Sequence, residues 1–538
     1  MSETFDYVVV GGGSSGCIVA AQLARDPRVR VLLLECGPSA DENPETLDAD
    51  GYKHAFANDA VIWDRFSVPQ PNAGKQRLFL GTGRGMGGSG AVNGMVYTRG
   101  AREDWDEWPE GFRWNDVVGE FEELERTLRP HRRSGTNFTE TCIRSAQACG
   151  FRRSEDLNDG DLSDAIGHEW MSYEGQARRS SYVAFIRDAE ARPNLVIETH
   201  ARAHRIMIDD GPRVSGVRYE QGGNLKSVNV RREVVLCAGS LETPKLLMLS
   251  GIGPASRLNA VGITPIVDVP EVGQNLQDHP NVSLFYKSKA EVDAYYPQLY
   301  SFCRANPATD LPPKQSDTCL VYWPAPSAMK QAAKRMLPGK VLPPSLFDTR
   351  AKRWLRGAVD AALSTNAAED FIKHMYGIVV ILGKPKSRGQ LWLASNDPRA
   401  QAAIDPAYFT HPEDMQTMLA GVRLAQRVAK AEPLAEFGNS PLMPGKRATS
   451  DEALQTFIEK NVMTTFHFAG TCRMGTDAHA PVDLRLRLRG VRGLRIADAS
   501  VTPSTPVSAM NAPSMLIGLR AAREIVRDYA DTATHVTT

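Results

Sequence analysis

No apolar run in this chain approaches the ~18–20 residues that cross a bilayer, so no transmembrane anchor is expected. Its eight cysteines (Cys17, Cys36, Cys142, Cys149, Cys237, Cys303, Cys319 and Cys472) are scattered. None forms a CxxC pair and none joins a histidine at zinc spacing, which argues for reduced, mostly buried thiols and against a disulfide framework or a metal. Charge of neither sign is in excess, because 63 Lys and Arg balance 63 Asp and Glu. That balance gives no ground for nucleic acid or an anionic membrane as an obligate partner. Met1, Ser2, Glu3 and Thr4 lead directly into strand-like Phe5–Val10 with no basic stretch or apolar signal core. A cytoplasmic protein is the expectation.

What the chain does have is glycine in concentrated form. Gly83, Gly85, Gly87, Gly88, Gly90 and Gly94 are too dense for a helix interior or a strand. Such a backbone suits close contact with something large and planar, such as a flavin ring. Asn93, Met95, Tyr97, Arg99, Trp105 and Trp108 follow, and flexible linkers rarely carry so many ordered side chains.

A second glycine cluster opens the chain. Apolar Tyr7–Val10 reads as a buried parallel strand, followed by Gly11-Gly12-Gly13-Ser14-Ser15-Gly16, a helical Cys17–Leu23 and a second strand, Val31–Leu34, ending on Glu35. In this order, GxGxxG has a dinucleotide-binding logic. Gly11 makes the turn, Gly13 admits the pyrophosphate and Gly16 lets helix and strand pack closely. The helix N-terminus faces the phosphates. Glu35 accepts from the ribose hydroxyls and disfavours NADP. The motif alone leaves FAD and NAD open, and the flat glycine loop favours FAD. At 538 residues the chain exceeds one simple core, so two domains are expected.

Gly83-Arg84-Gly85-Met86-Gly87-Gly88-Ser89-Gly90, with Asn93, Tyr97, Gly100 and Asp106, resembles the first signature of the glucose–methanol–choline (GMC) oxidoreductases. Gly239–Gly253 resembles the second. Arg192–Leu195, Val272–His279, Pro385–Gly389, His467–Gly475, Asp498–Ser500 and Asn511–Pro513 follow in the same order. The resemblance implies an α/β fold: a doubly wound, Rossmann-like FAD domain at 1–155, 195–283 and 464–538. It also implies a substrate domain on an antiparallel sheet at 156–194 and 284–463. Leu494–Asp498 reads as a strand and Pro513 to about Val526 as a helix with proline near its start. Cofactor contacts are implied at Gly11, Gly13, Ser14, Ser15, Gly16, Glu35, Arg84, Gly87, Gly88, Asn93, Gly94, Met95, Val96, Ala203, Ala238, Gly239, Asp498, Ala499, Asn511, Ala512 and Pro513. Val92 stands where covalently flavinylated relatives carry histidine, so noncovalent FAD is expected.

The same resemblance implies the chemistry: oxidation of a primary alcohol to an aldehyde, with electrons passed to O2 or to a quinone or protein acceptor. An aromatic or medium-chain alcohol is the expectation. His467, in HxxGTxxMG, is the expected base, since imidazole titrates near neutrality. The family's second polar residue falls on Ala509, which has no polar side chain. Three readings stay open. Asn511 takes its place, or His374, Tyr376 or Ser508 compensates, or His467 acts alone. Asp278-His279 is read as a structural turn and left out of the catalytic set. Lys330–Arg356 carries Lys330, Lys334, Arg335, Lys340, Arg350, Lys352, Arg353 and Arg356 against Asp348. Met329–Met336 and Arg350–Leu355 look helical, with Pro338, Pro343 and Pro344 between them. A solvated face, a lid, or a patch for an acidic surface, membrane or electron acceptor all fit. Non-redox chemistry of the hydroxynitrile lyase or light-driven decarboxylase kind, and a flavin-loaded binding or sensor protein, are the rivals. A monomer or small homo-oligomer is expected.

Overall fold

The computed structural model describes residues 3–535 except 343 and 348. Met1, Ser2, Pro343 and Asp348 of the sequence reading lie outside the described residues.

Two sheets organise the chain. In the first, strand Thr4–Val10 lies parallel between Val31–Leu34 and Asn224–Leu236. Leu195–Glu198 extends one edge in parallel, and the antiparallel strands Arg213–Gln221 and Ala201–Asp209 extend the other. Leu494–Ile496 returns from the far end of the sequence to pair in parallel with Val234–Leu236. The near-continuous apolar strands Tyr7–Val10 and Val31–Leu34 are buried on both faces, as a parallel sheet under helices requires. Helix Gly16–Leu23 follows the first strand. It packs against the C-terminal helix Asn511–His535. That helix starts two residues earlier than the sequence suggests and runs beyond Val526. Pro513 is accommodated because amides in the first turn have no intrahelical partner to lose.

The second sheet has eight strands. Its path runs Ser440–Met443, Pro280–Lys287, Met375–Leu382, Thr318–Pro324, Leu299–Cys303, Ala165–His168 and Arg152–Arg153, with Met463–Thr464 pairing on Pro280–Lys287. All these pairings are antiparallel except the last on the path.

Four helices interrupt the second sheet between Pro324 and Met375: Ala325–Val341, Pro344–Phe347, Arg350–Leu363 and Asn366–Lys373. This cover packs on helix Tyr52–Ala57. Pro338 lies inside the first of these helices, not between helices as the sequence reading places it. Among the described residues no helix is long and apolar enough to cross a membrane.

Candidate active site

A cavity of about 570 Å³ runs between the two sheets. One end is walled by Gly11, Gly13, Glu35, Ala238 and Asp498, the other by Tyr300, Val321, Trp323 and Ile381, and His279 and His467 also line it.

At the first end, backbone amides and two carboxylates set the shape. Glu35 accepts from the amides of Gly12 (2.8 Å), Gly37 (2.7 Å) and Gly85 (2.9 Å). It therefore ties the two glycine loops together. Burial pushes its carboxyl upward, and these three amides oppose the shift. A carboxylate has about four acceptor positions, so one remains for a hydroxyl group in the cavity. Asp498 accepts from Gly239 N (2.9 Å), Thr243 Oγ1 (2.6 Å) and Ser500 N (2.8 Å). It thus fixes the start of helix Gly239–Leu249. At Gly16 an added Cβ would stand 1.9 Å from the Gly11 carbonyl oxygen, so close helix–strand packing is its role. At Gly13 the only heavy atom met within 4 Å is the Gly88 Cα, at 3.9 Å, which leaves the space a pyrophosphate would take. A glycine wall, oriented amides and carboxylates suited to ribose fit an adenine dinucleotide.

Ser14, Ser15, Gly88, Asn93, Gly94, Val96, Ala203, Gly239 and Ala499, implied by the resemblance as cofactor contacts, also line the cavity. Gly16, Arg84, Gly87, Met95, Ala512 and Pro513 stand behind its wall. Gly87 N donates to Gly12 O at 2.7 Å. Arg84 lies over Trp63, Met95 packs with Tyr52 and Met171, and Ala512 and Pro513 are buried in the first turn of their helix. Asn511 lines the cavity and accepts from Ser14 Oγ at 2.7 Å, which commits that oxygen to the nucleotide loop. Arg178 was not singled out from the sequence. It is buried and donates to Gly90 O (3.0 Å), Asn93 Oδ1 (2.8 Å) and Asn93 O (2.7 Å), holding the second glycine loop in place. It lies 85 residues from Asn93, so no local pattern announces it.

His467 sits beside the pairing of Thr464 with Pro280, which brings it against His279. The two Nδ1 atoms are 2.9 Å apart and the rings meet edge to face. Asp278, left out with His279 at the sequence level, accepts from the His467 amide (2.8 Å) and from Thr464 and Tyr408 hydroxyls. Burial pushes the Asp278 carboxyl up to about 6. Burial lowers His467 to about 4 and His279 well below the usual imidazole range, and a charge on His467 would lower His279 further. Both rings are neutral at pH 7, so one Nδ1 donates and the other accepts. The carbonyls of Gly383 and Pro506 lie near His279, while its Nε2 is buried with no hydrogen-bond partner among the described residues. The tautomer sets which ring donates; with Nδ1–H of His467 donating to Nδ1 of His279, His467 Nε2 carries a free lone pair.

Ala509 lines the cavity and offers no polar atom. Of the three residues expected to compensate, Ser508 lines the cavity with a buried hydroxyl that has no hydrogen-bond partner among the described residues. Tyr376 is fully buried and stacked on Tyr286, away from the lining. His374 contacts the Asp370 carbonyl, also away from it.

A nucleotide sheet and an antiparallel sheet meeting at one cavity are the architecture of FAD-binding oxidases. The chain belongs to the GMC oxidoreductase family, whose N-terminal part it matches over residues 5–281 and whose C-terminal part it matches over 385–518. Members of this family bind FAD. An uncharacterised GMC-type oxidoreductase of Mycobacterium tuberculosis is 33% identical, over 97% of this chain and 99% of the relative. An alcohol dehydrogenase [acceptor] of Pseudomonas putida is 29% identical, over 97% and 96%. Among solved structures, pyridoxine 4-oxidase from Mesorbium loti superposes with a TM-score of 0.83 at 25% identity, over 97% of this chain and 99% of that one.

Proposed function

We propose that this chain oxidises an apolar primary alcohol, aromatic or of medium length, to its aldehyde, using noncovalently held FAD. The observation that carries the reading is His467 on the cavity wall with its Nδ1 engaged by His279, and in this reading Nε2 is the base. FAD, when bound, supplies the acceptor for hydride. His467 Nε2 takes the hydroxyl proton, and the His279 contact orients the ring and supports the imidazolium that results. Asp278 holds the backbone of His467 in place. The Ser508 hydroxyl stands in for the side chain missing at Ala509. Asn511 steadies the nucleotide loop through Ser14. Val92 lines the cavity without a nucleophilic atom, which supports noncovalent binding.

Substrate class follows from the lining. Tyr300, Val321, Trp323, Val379 and Ile381 wall the far end, and the carboxylates Glu35, Glu242 and Asp498 belong to segments around the nucleotide. A cationic alcohol therefore has little to attract it. Residues 1–155, 195–283 and 464–538 form the cofactor domain in this reading, and 156–194 and 284–463 the substrate domain. Electrons leave to O2 or to a quinone-like or protein acceptor. Under anaerobic conditions a panel of benzylic and medium-chain alcohols is expected to bleach the flavin absorbance, with reoxidation on admitting air separating an oxidase from a dehydrogenase. His467→Ala is expected to slow bleaching by on the order of 10²–10⁴-fold. A wild-type flavin that no alcohol bleaches overturns the reading and favours non-redox chemistry.

A further inference from the structure

The helical cover between Pro324 and Met375 is inside out. On helix Arg350–Leu363, Lys352 and Arg356 point inward and are buried. Lys352 pairs with Asp64 at 2.6 Å and Asp59 at 3.3 Å, and Arg356 with Asp59 at 2.8 Å. Arg335, on helix Ala325–Val341, is buried against the same two carboxylates. Lys330 and Lys334 face Asp360. Five of the segment's cations are thus accounted for within the protein.

The opposite face of helix Arg350–Leu363 carries Arg350, Arg353, Trp354, Gly357, Ala358 and Ala361. This is the i, i+3, i+4, i+7 spacing of one stripe, and every member is exposed. Trp354 is 75% exposed and Arg350 and Arg353 have no ion-pair partner among the described residues. Val341, Leu337 and Leu346 are exposed on the helices packed beside it. Five of the ten large apolar side chains exposed among the described residues fall between Ala325 and Lys373. An isolated exposed leucine is ordinary, but such a cluster marks an interaction surface.

We propose that this outer face docks on an anionic phospholipid surface. Charge and side-chain type favour this occupant. A tryptophan beside two arginines without ion-pair partners among the described residues, on a face otherwise of small residues, matches the interfacial region of a bilayer. There the indole sits at headgroup depth and the guanidinium groups meet phosphates. The balanced charge of the whole chain does not oppose this, because Asp59, Asp64 and Asp360 hold the inner cations, and Arg350 and Arg353 pair with no acid among the described residues. Ala328, Gln331 and Ala332 on the inner side of the same cover line the cavity. Docking therefore brings the cavity roof to the lipid, from which apolar molecules partition.

The test is co-sedimentation of the flavin-loaded full chain with vesicles of phosphatidylcholine alone, and of phosphatidylcholine mixed with phosphatidylglycerol. Binding to the mixed vesicles is expected, weakened by salt and far weaker on phosphatidylcholine. Each arginine replaced, in Arg350→Ser and Arg353→Ser, is expected to lower the partition coefficient about fivefold. Trp354→Ser is expected to weaken binding while turnover of a water-soluble alcohol is unchanged, which shows that the variant is folded. Failure to bind either vesicle overturns the proposal, as does equal binding to both that Trp354→Ser leaves intact. Self-association in sedimentation velocity that Trp354→Ser abolishes, without vesicle binding, also overturns it and assigns the face to a second copy of the chain.

Discussion

His467 stays neutral because desolvation opposes the imidazolium, and this fixes the sign of its pH dependence. With its pKa lowered to about 4, the folded chain binds fewer protons than the unfolded chain between about pH 4 and the ordinary imidazole pKa near 6.5. Its contribution to stability is full above that window and is lost as pH falls through it. The acid limb of kcat/KM is likewise expected near pH 4, not 6.5, in a pH–rate series. The neighbouring ring gives a second outcome. His279→Leu is expected to lower kcat by on the order of 10²-fold or more with little change in KM, since the base loses its orienting acceptor. His279→Asn, which keeps an acceptor, should recover most of the loss. Equal damage by both variants with unchanged flavin binding would sink the orienting role. His467 was legible from its own motif. His279 was not, because its partner lies 188 residues away and Asp278-His279 reads locally as a turn.

At the level of elements, strand, glycine loop and helix at Thr4–Leu23 were legible because the requirement is local. A short buried strand, a tight turn and small residues at the packing surface each leave a mark in adjacent positions. The cover was legible only as basic and partly helical. Its inner cations depend on Asp59 and Asp64, nearly three hundred residues earlier in the chain. Burial raises the Asp59 carboxyl, and Arg335, Arg356 and Lys352 overcome that shift and hold it below the usual range. Replacing both acids, Asp59→Asn with Asp64→Asn, leaves buried Arg335 without a counter-charge. The cost is less than the ~3–5 kcal/mol of a fully buried pair, because the Asp59 side chain is 44% exposed. Faster hydrogen exchange confined to 325–363 and the helix at 52–57 is the expected readout. Unchanged protection there would show that apolar packing alone holds the cover.

The whole molecule joins its two sheets through segments that cross between them more than once. The order of motifs announced a nucleotide sheet and an antiparallel sheet, whereas the cavity's far wall was not legible. Tyr300, Trp323 and Ile381 come from strands that carry no chemical signature, only apolar alternation. The central pair of the nucleotide sheet, Thr4–Val10 and Asn224–Leu236, is completed by Leu494–Ile496, and Asp498 just beyond supports the helix that starts at Gly239. A chain ended before Leu494 is therefore expected to elute from gel filtration without flavin absorbance, and retained yellow colour would refute this. Synthesis on the ribosome meets the same constraint. The glycine motif at Gly11–Gly16 emerges long before Leu494–Asp498, which finish its seat. The nucleotide sheet stays incomplete while the intervening residues are made, so cofactor capture is expected only after Leu494–Asp498 have been synthesised.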